Sequence, residues 1–402
     1  MRSMTEPGKT EVAAAAERYE SASCALYDAG TCRSCGLLAL SRGHRASSKT
    51  ASVLEVLRGA GIAPALVEPL LLPSSPWGSR AKIKVSVTGT VSAPVIGIVR
   101  SDLKAVELAV CPLSPAPFRA LLEEIRGVIG AYALTPYEIE ARRGELKGLI
   151  VMSDSSHSEG ILRFVLRSTE AVARIRKAVP AITAAHPWVK VVSCNIQPLP
   201  AALLEGDEEI VLTEQSQISA QYGPVRLLFS PQSFMQVTPD VAAALYAKAR
   251  AWADEFRPGR LLDIFCGVGG FSLSLAPVCE SVTGVEISHS AVQSAAAAAA
   301  QLGLSKKARF LAGDALRMVE SLAESRFDTV LVNPPRRGLS AELVKAIAHA
   351  TPEQILYSSC NPETFARDVS AWRGAYTLQR IALFDMFPLT EHCEVLGLLT
   401  RA

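Results

Sequence analysis

The last third of the chain repeats one pattern, in which short apolar runs alternate with stretches of helical periodicity. The apolar runs cover residues 261–265, 281–286, 308–311, 329–332 and 354–357, and helical patterns lie between them, for example at 290–302 and 341–348. Strands that alternate with helices are typical of a parallel sheet covered on both faces. We therefore predict an α/β fold here, with a Rossmann-like sheet whose ligand site lies at the carboxyl ends of the strands.

The preceding part of the chain shows a different pattern. Ile83, Val85 and Val87 alternate with polar residues and Gly89 then marks a turn, which predicts a strand–turn–strand unit over residues 80–100. Further strands are predicted over 161–166 and 189–196, and a short helix over 50–61. These patterns divide the chain into a loose polar tail (1–23), a cysteine-rich segment (24–49), a central α+β domain (50–235) and the α/β domain (236–402).

Composition narrows the class of protein. Hydrophobic residues make up 49% of the chain and charged residues 20%, as expected for a globular protein. The formal net charge of +2 means that any contact with nucleic acid must depend on a local basic face. The apolar run at residues 12–16 is too short for a signal peptide, and the sequence contains no apolar run long enough for a membrane helix. We expect a cytoplasmic protein, in which the nine cysteines serve metal binding or catalysis rather than disulfides.

A glycine-rich turn follows the first strand of the α/β domain. Residues 262–270 read Leu-Asp-Ile-Phe-Cys-Gly-Val-Gly-Gly, with Asp263 ahead of the turn and Gly267 within it. Glycines let the backbone approach a ligand, and Glu286, about 20 residues further on at the end of the next strand, is placed to bind a ribose diol. Asp314 follows the third strand, where it can reach an adenine edge. This spacing favours S-adenosylmethionine, whereas a dinucleotide site would read Gly-x-Gly-x-x-Gly.

Two further motifs end the fourth and fifth strands. Residues 333–338 read Asn-Pro-Pro-Arg-Arg-Gly. Methyltransferases that modify amino groups have a similar Pro-Pro turn followed by an aromatic residue, which stacks on the target base. Because Arg336 takes that place here, the motif argues against N-methylation. Residues 358–362 read Ser-Ser-Cys-Asn-Pro, which directs Cys360 toward the same pocket. A thiolate that adds to C6 of uracil makes C5 nucleophilic enough to take a methyl group, and a base must then remove the C5 proton. Glu394 is the candidate base.

Each of these residues also has a purely structural interpretation. A cysteine at a strand end is often a small buried apolar residue, and a carboxylate such as Glu394 is more often on the surface. The position of Cys360 after the Asn-Pro-Pro strand favours catalysis. Cys266, the competing thiol, lies within the glycine turn, where we expect packing. Cytosine-C5 enzymes usually carry proline before the nucleophile, whereas here Ser359 precedes it.

A cluster of cysteines near the N-terminus predicts a metal or cluster site. Cys24, Cys32 and Cys35 have the spacing C-x7-C-x2-C, and Cys111, further along the chain, is followed by proline. Four thiolates at short, uneven spacings with one distant ligand suit an iron–sulfur cluster. Zinc is the alternative, but its sites usually pair two C-x2-C hairpins or add histidines, and His44 is a weak candidate.

Together these motifs resemble those of the RNA uracil-C5 methyltransferases that carry an iron–sulfur cluster. Within that family the chain is most similar to the subgroup that acts on bacterial 23S ribosomal RNA and lacks an N-terminal RNA-binding barrel. The similarity extends from about Cys24 to Leu399 and rests on motifs at 24–35, 143–147, 231–234, 263–270, 333–338 and 358–361. Asn333 departs from the aspartate of many relatives but agrees with this subgroup.

The resemblance implies roles for individual residues. Cys360 is the implied nucleophile and Glu394 the implied base. The implied contacts to S-adenosylmethionine come from Gln232, Phe265, Glu286 and Asn333. The implied ligands of a four-iron, four-sulfur cluster are Cys24, Cys32, Cys35 and Cys111.

A basic strand face is the candidate RNA contact. Arg80, Lys82 and Lys84 alternate with apolar residues and so share one face, which a further set of residues would extend: Arg142, Arg143, Lys147, Arg163 and Arg167. A solvated strand face is the alternative to phosphate contact. Because the uridine must leave its stack to reach Cys360, we expect binding at a single-stranded loop of 23S ribosomal RNA. Transfer RNA as substrate and a non-catalytic RNA-binding factor are the alternatives, and we expect a monomer with no obligate protein partner.

Overall fold

A computed structural model describes residues 24–100, 105–200, 205–322 and 326–402. The predicted tail (1–23) lies outside these residues. The cysteine-rich segment contains a single helical turn, α1 (Ala25–Asp28), and leads into the long helix α2 (Arg42–Gly59). The helix predicted over 50–61 begins eight residues earlier, at Arg42, because Ser41 caps it by accepting a hydrogen bond from His44 N. Among the described helices, none is both long and apolar enough to cross a membrane.

The central part of the chain builds a seven-stranded, mostly antiparallel sheet. Its strands are β1 (Lys82–Gly89), β2 (Pro94–Val99), β3 (Ala105–Glu107), β4 (Leu146–Ser153), β5 (Gly160–Leu166), β6 (Val189–Ile196) and β7 (Glu208–Val211), in the order β3-β2-β1-β4-β5-β6-β7. Helices α3 (Ala116–Ala131) and α4 (Val172–Ala185) cover one face. The alternation of Ile83, Val85 and Val87 is explained by this packing, since all three enter a core with Phe118 and Ile125 of α3.

A two-stranded hairpin, β8 (Ile218–Tyr222) and β9 (Val225–Phe229), leads into the α/β domain. The helices of this domain are α5 (Pro239–Phe256), α6 (Gly270–Leu275), α7 (His289–Gln301), α8 (Ala315–Leu322), α9 (Ala341–His349) and α10 (Pro362–Ala371). Its strands are β10 (Arg260–Ile264), β11 (Ser281–Glu286), β12 (Ala308–Ala312), β13 (Thr329–Val332), β14 (Gln354–Ser359), β15 (Tyr376–Phe384) and β16 (Glu394–Arg401).

The second sheet has seven strands in the order β12-β11-β10-β13-β14-β16-β15. The five predicted strands pair in parallel, so the predicted Rossmann-like α/β fold is confirmed. The pattern did not predict the last two strands: β16 runs antiparallel between β14 and β15. As a result, the first residue of β16 lies at the end of the sheet where β14 finishes.

Helix α2 packs on the α/β domain. Val53 and Leu57 share a core with Phe365 and Trp372 of the α10 region. The helix is also joined to the far end of the chain by a buried ion pair between Lys49 and Asp385. The segment that follows the cysteines is therefore in contact with the α/β domain.

Candidate active site

The sheet order reverses between β10 and β13, and the loops after these strands meet at a cavity. Such a switch point is where open α/β sheets bind ligands. Phe265 and Gly267 line the cavity from the first loop and Asn333 from the second, while Phe234 and Gln236 line it from the segment before α5. The structure thus brings three of the predicted cofactor residues, Phe265, Gly267 and Asn333, to one place.

The glycine turn has little room for side chains. Gly269 has a φ of +86°, and a Cβ atom on Gly270 would lie 2.5 Å from the Tyr246 hydroxyl oxygen. Phe265 itself has a positive φ of 66°, an uncommon conformation for a residue with a side chain. The tight turn keeps the backbone at the cavity wall, where it can approach a ligand.

Asp263 lies behind the turn. Its side chain is fully buried, and Oδ2 accepts hydrogen bonds from Ser272 N (3.0 Å) and Ser272 Oγ (2.6 Å). Oδ1 has no hydrogen-bond partner among the described residues. Burial raises the pKa of Asp263 to about 7, although the bonds from Ser272 oppose the shift. Asp263 therefore joins β10 to α6 and keeps one buried oxygen without a hydrogen-bond partner among the described residues.

The other two predicted acids end neighbouring strands. Glu286 accepts from Gly267 N (3.2 Å) and Ser288 N (3.0 Å), so its carboxylate lies beside the glycine turn, as its position predicts. Asp314 is exposed, and its Oδ1 accepts from Arg317 N (3.1 Å) at the start of α8. Glu286 therefore lies beside the glycine turn, whereas Asp314 is exposed at the start of α8.

Gln232 does not lie in the cavity. Its side chain is exposed and donates to Asp207 O (2.9 Å), whereas Gln236, four residues later and 8% exposed, lines the cavity. The backbone between β9 and α5 turns here, with Ser233 N donating to Ser230 O, so neighbouring glutamines point in different directions. Gln236 therefore has the position that the sequence analysis expected for Gln232.

Cys360 and Glu394 are brought together by the antiparallel strand β16. Ser359 of β14 is opposite Val395 of β16, so the next residue on β14's side, Cys360, lies next to Glu394. Cys360 is half-buried, and Glu394 is 2% exposed with Oε1 accepting from Ser358 Oγ at 2.6 Å. Tyr246 lines the same cavity; burial raises the pKa of its hydroxyl, and the nearby carboxylates of Asp263 and Glu394 add to the shift.

The surroundings of Cys360 act on its thiol in opposite directions. Burial raises the pKa of Cys360 and the Glu394 carboxylate adds to this effect, whereas the Arg336 guanidinium lowers it. Arg336 also contacts the His392 ring, at 2.8 Å from Nδ1 and 3.2 Å from Nε2. The thiol precedes helix α10, which Asn361 caps, and the positive end of a helix dipole favours a thiolate. Burial and the Glu394 carboxylate outweigh these effects, so the pKa of the Cys360 thiol is raised overall.

Glu394 has the properties of a general base. Burial raises the pKa of Glu394 to about 7, while the hydrogen bond from Ser358 opposes this shift. A base works best when its pKa lies near the operating pH. Cys266, the competing thiol, is buried as expected, and burial raises its pKa well above the ordinary value.

The four predicted cluster cysteines line one cavity of about 160 Å³, together with Arg80. Cys24, Cys32 and Cys35 come from the segment around α1, and Cys111 comes from the loop after β3. Burial raises the pKa of Cys35 to about 11, with the neighbouring Cys111 adding to the effect. Among the described residues, no three His, Cys, Asp or Glu side chains are placed to hold a single metal ion. His44 instead contacts Ser41 at the start of α2.

The predicted basic face is only partly on the surface. Arg163 is fully buried and pairs with Glu205 and Glu209, and Lys82 is 9% exposed and donates to Ser233 O (3.1 Å). The prediction that these two residues contact RNA from a surface strand is therefore wrong, because carboxylates distant in sequence enclose Arg163 and the loop before α5 covers Lys82. Lys84 and the pair Arg142 and Arg143 remain exposed.

Four residues at this site are not predicted by the sequence patterns. Phe234, an aromatic residue that is 68% exposed, lines the cavity beside Gln236. Ser358 holds Glu394, and His392 contacts Arg336. The signal that could have identified Phe234 and Gln236 is the sequence Ser-Phe-Met-Gln at 233–236, because it overlaps the family motif at 231–234.

Comparison with known proteins decides the family. The chain is 41% identical over 387 residues to the "23S rRNA (uracil(747)-C(5))-methyltransferase RlmC" of Cronobacter sakazakii, covering 94% of this chain and 99% of that protein. This chain belongs to the RNA uracil-C5 methyltransferase family. Its residues 224–402 match the family described as "tRNA (Uracil-5-)-methyltransferase". The predicted RNA uracil-C5 methyltransferase family and the predicted enzyme class, an S-adenosylmethionine-dependent methyltransferase, are thereby confirmed, whereas the iron–sulfur cluster stays a prediction.

Two further relatives extend this result. The protein of the same name from Pectobacterium atrosepticum is 42% identical over 381 residues, covering 94% of this chain and all of that protein. Within the family, a solved structure of the tRNA (uracil-54, C5)-methyltransferase of Pyrococcus abyssi in complex with S-adenosyl-L-homocysteine has a TM-score of 0.75 and 25% identity, covering 91% of this chain and 85% of that chain. The family fold therefore extends over both sheets.

Proposed function

We propose that this enzyme transfers a methyl group from S-adenosylmethionine to C5 of a uridine in 23S ribosomal RNA. The observation that carries the proposal is the pairing of half-buried Cys360 with the buried carboxylate of Glu394 across β14 and β16, next to the cofactor cavity. The names of the relatives from Cronobacter sakazakii and Pectobacterium atrosepticum support ribosomal RNA as the substrate.

The chemistry requires a nucleophile and a base. The Cys360 thiolate adds to C6 of the uracil, which makes C5 nucleophilic. S-adenosylmethionine, when bound, supplies the methyl group to C5. Glu394 then removes the C5 proton; the C5–H electrons re-form the C5=C6 double bond, and the C6–S bond breaks to release Cys360 as thiolate. Arg336 and the start of α10 stabilise that thiolate at the beginning and at the end of the reaction.

The cofactor contacts that we propose are Gln236, Phe265, Gly267, Glu286 and Asn333, with Gln236 replacing the predicted Gln232. Glu286, whose carboxylate already accepts from Gly267 N, suits a ribose diol. The unpartnered Oδ1 of Asp263 fits a ligand with a hydrogen-bond donor, such as the amino group of S-adenosylmethionine. Asp314, at the start of α8, is the proposed contact for the adenine.

Phe234 is the residue that we propose stacks on a base of the RNA. An aromatic side chain that is 68% exposed at the rim of a cavity is available to a flipped base, and stacking is worth about 1–3 kcal/mol per base. Lys82 supports this segment from behind by donating to Ser233 O.

The four cysteines are the proposed ligands of a [4Fe-4S] cluster. The four thiols share a cavity of about 160 Å³. Their short, uneven spacing with one distant cysteine supports the cluster over zinc, whose sites usually pair two C-x2-C hairpins or add histidines. When bound, the cluster would supply a covalent link between the segment around α1 and the loop that carries Cys111.

We propose that RNA also contacts the face of the central sheet that lies opposite α3 and α4. A groove of about 500 Å³ crosses this face, with Lys84 and Lys147 among its lining residues. The Lys147 ammonium lies 4.7 Å from the centre of the Tyr137 ring. Two cations beside an open sheet face suit the phosphates of a single strand.

The direct test is methyl transfer from labelled S-adenosylmethionine to unmodified 23S ribosomal RNA, followed by nucleoside analysis. We expect label in 5-methyluridine, and the Cys360→Ala variant serves as the control that should give none. Unmodified transfer RNA is assayed in parallel. Preferential label in transfer RNA would overturn the substrate, and label in another nucleoside would overturn the reaction.

A further inference from the structure

A buried lysine holds the loop that leads into the catalytic base. Lys49 of α2 is fully buried, and its Nζ donates three hydrogen bonds: to Asp385 Oδ1 at 2.5 Å, to Phe387 O at 3.0 Å and to His392 O at 3.0 Å. An ammonium group has three donors, so these bonds use its full capacity. All three acceptors belong to residues 385–393, the loop between β15 and β16, which we call the base loop.

The base loop carries two parts of the site. It ends at Glu394, and His392, whose carbonyl oxygen accepts from Lys49, presents its ring to Arg336 beside Cys360. A shift of this carbonyl would move the backbone two residues before the Glu394 carboxylate. The loop also bonds to two other segments, since Leu37 N donates to Leu389 O and Thr238 Oγ1 donates to Met386 O.

Lys49 is distant in sequence from everything that it holds. It lies on α2, which begins within the cysteine-rich segment (24–49), and is 336 residues before Asp385. Leu37, two residues after Cys35, contacts the same loop. The cysteine-rich segment (24–49) and the base loop are therefore in direct contact at two points, Lys49 and Leu37.

We infer that Lys49 is a positioning residue, which sets the Glu394 carboxylate for removal of the C5 proton by fixing the base loop at Asp385, Phe387 and His392. This inference rests on the proposed function. A misplaced base slows the last step, in which Glu394 takes the C5 proton and Cys360 leaves C6. A base displaced by about 1 Å can slow a reaction on the order of 10²-fold.

The test compares the Lys49→Met, Asp385→Asn, Arg58→Met and Glu394→Gln variants of the full chain. Unmodified 23S ribosomal RNA and labelled S-adenosylmethionine are the substrates, and after nuclease digestion mass spectrometry measures the Cys360 peptide that carries a methylated uridine. Arg58 is an exposed cation on the same helix and is the matched control. Binding of S-adenosylhomocysteine reports whether each variant folds.

For Lys49→Met we expect kcat to fall on the order of 10²-fold, with an unchanged KM for S-adenosylmethionine and accumulation of the covalent adduct. Glu394→Gln should accumulate the same adduct, and Arg58→Met should behave as wild type. A purely structural role for Lys49 would reduce the amount of folded enzyme without trapping the adduct. A wild-type kcat in Lys49→Met, or a reduced kcat without adduct, would overturn the inference.

If Lys49→Met fails to bind S-adenosylhomocysteine, the Asp385→Asn variant decides whether Lys49 is a positioning residue, because asparagine keeps an acceptor oxygen for Lys49. We then expect the adduct to accumulate in Asp385→Asn. Loss of S-adenosylhomocysteine binding in both variants would overturn the inference, because Lys49 and Asp385 would then be needed for the domain to fold. If Glu394→Gln traps no adduct, the proposed function itself fails, whatever the result for Lys49.

Discussion

Replacing Glu394 by glutamine should abolish turnover and, at the same time, stabilise the folded protein at pH 8. The Glu394 side chain is 2% exposed and accepts a hydrogen bond from Ser358 Oγ at 2.6 Å. Burial raises the pKa of Glu394 from 4.5 to about 7. Glutamine has nearly the same shape and keeps an acceptor oxygen for Ser358, but it cannot ionise or remove a proton.

The magnitude follows from this pKa. Because the pKa of Glu394 is higher in the folded than in the unfolded protein, the stability that this carboxyl group contributes is fully present below pH 4.5. That stability is lost as the pH rises from 4.5 to about 7. Above this interval, ionised Glu394 lowers the free energy of unfolding by about 3 kcal/mol relative to a neutral side chain. Glu394→Gln should therefore gain about 3 kcal/mol at pH 8 and less than about 1 kcal/mol at pH 5.

The assay is thermal unfolding of wild type and variant at the two pH values. At pH 8 we expect the Tm of Glu394→Gln to exceed that of wild type on the order of 5 °C, with a much smaller difference at pH 5. Glu391→Gln is the matched control, because Glu391 is an exposed carboxylate in the same loop and should give no pH-dependent difference. A Tm difference that is equal at both pH values, or a variant less stable at pH 8, would refute the reasoning.

Four further predictions concern single residues of the proposed sites. Cys360→Ala should yield no 5-methyluridine while binding S-adenosylhomocysteine with unchanged affinity in calorimetry, and residual turnover would exclude Cys360 as the nucleophile. Arg336→Met removes the guanidinium that lowers the pKa of Cys360, so alkylation of Cys360 by iodoacetamide should require higher pH, and an unchanged pH profile would contradict this. Phe234→Ala should raise the KM for RNA roughly tenfold, while Phe234→Tyr should not, because the lost stacking is worth about 1–3 kcal/mol; equal KM values would argue against stacking. Cys35→Ser should lower the iron content per chain and the visible absorption of purified protein relative to Cys279→Ser, a buried cysteine outside the cavity, and zinc in place of iron would reject the cluster.

The sequence by itself determined the features that depend on local pattern. The alternation of apolar runs predicted the five parallel strands of the α/β domain, because such strands are buried on both faces and must be apolar. Positions at strand ends followed from the same pattern, since parallel strands bring their carboxyl ends to one edge. Glu286 and Asn333 lie beside the glycine turn or its neighbouring loop, as this pattern predicts, while their roles in binding the cofactor stay predictions.

The tertiary structure decided what depends on contacts between distant segments. Glu394 is next to Cys360 only because β16 inserts antiparallel between β14 and β15, and pairing between strands cannot be read from the periodicity of either one. Gln232 and Gln236 are four residues apart in an irregular segment, where no periodic pattern indicates which side chain faces the cavity. Lys82 and Arg163 look like surface cations in the sequence, and their burial follows from partners far along the chain. A long cationic side chain can be buried only where a carboxylate or a carbonyl oxygen from another segment pairs with it. Such partners come together only in the folded chain.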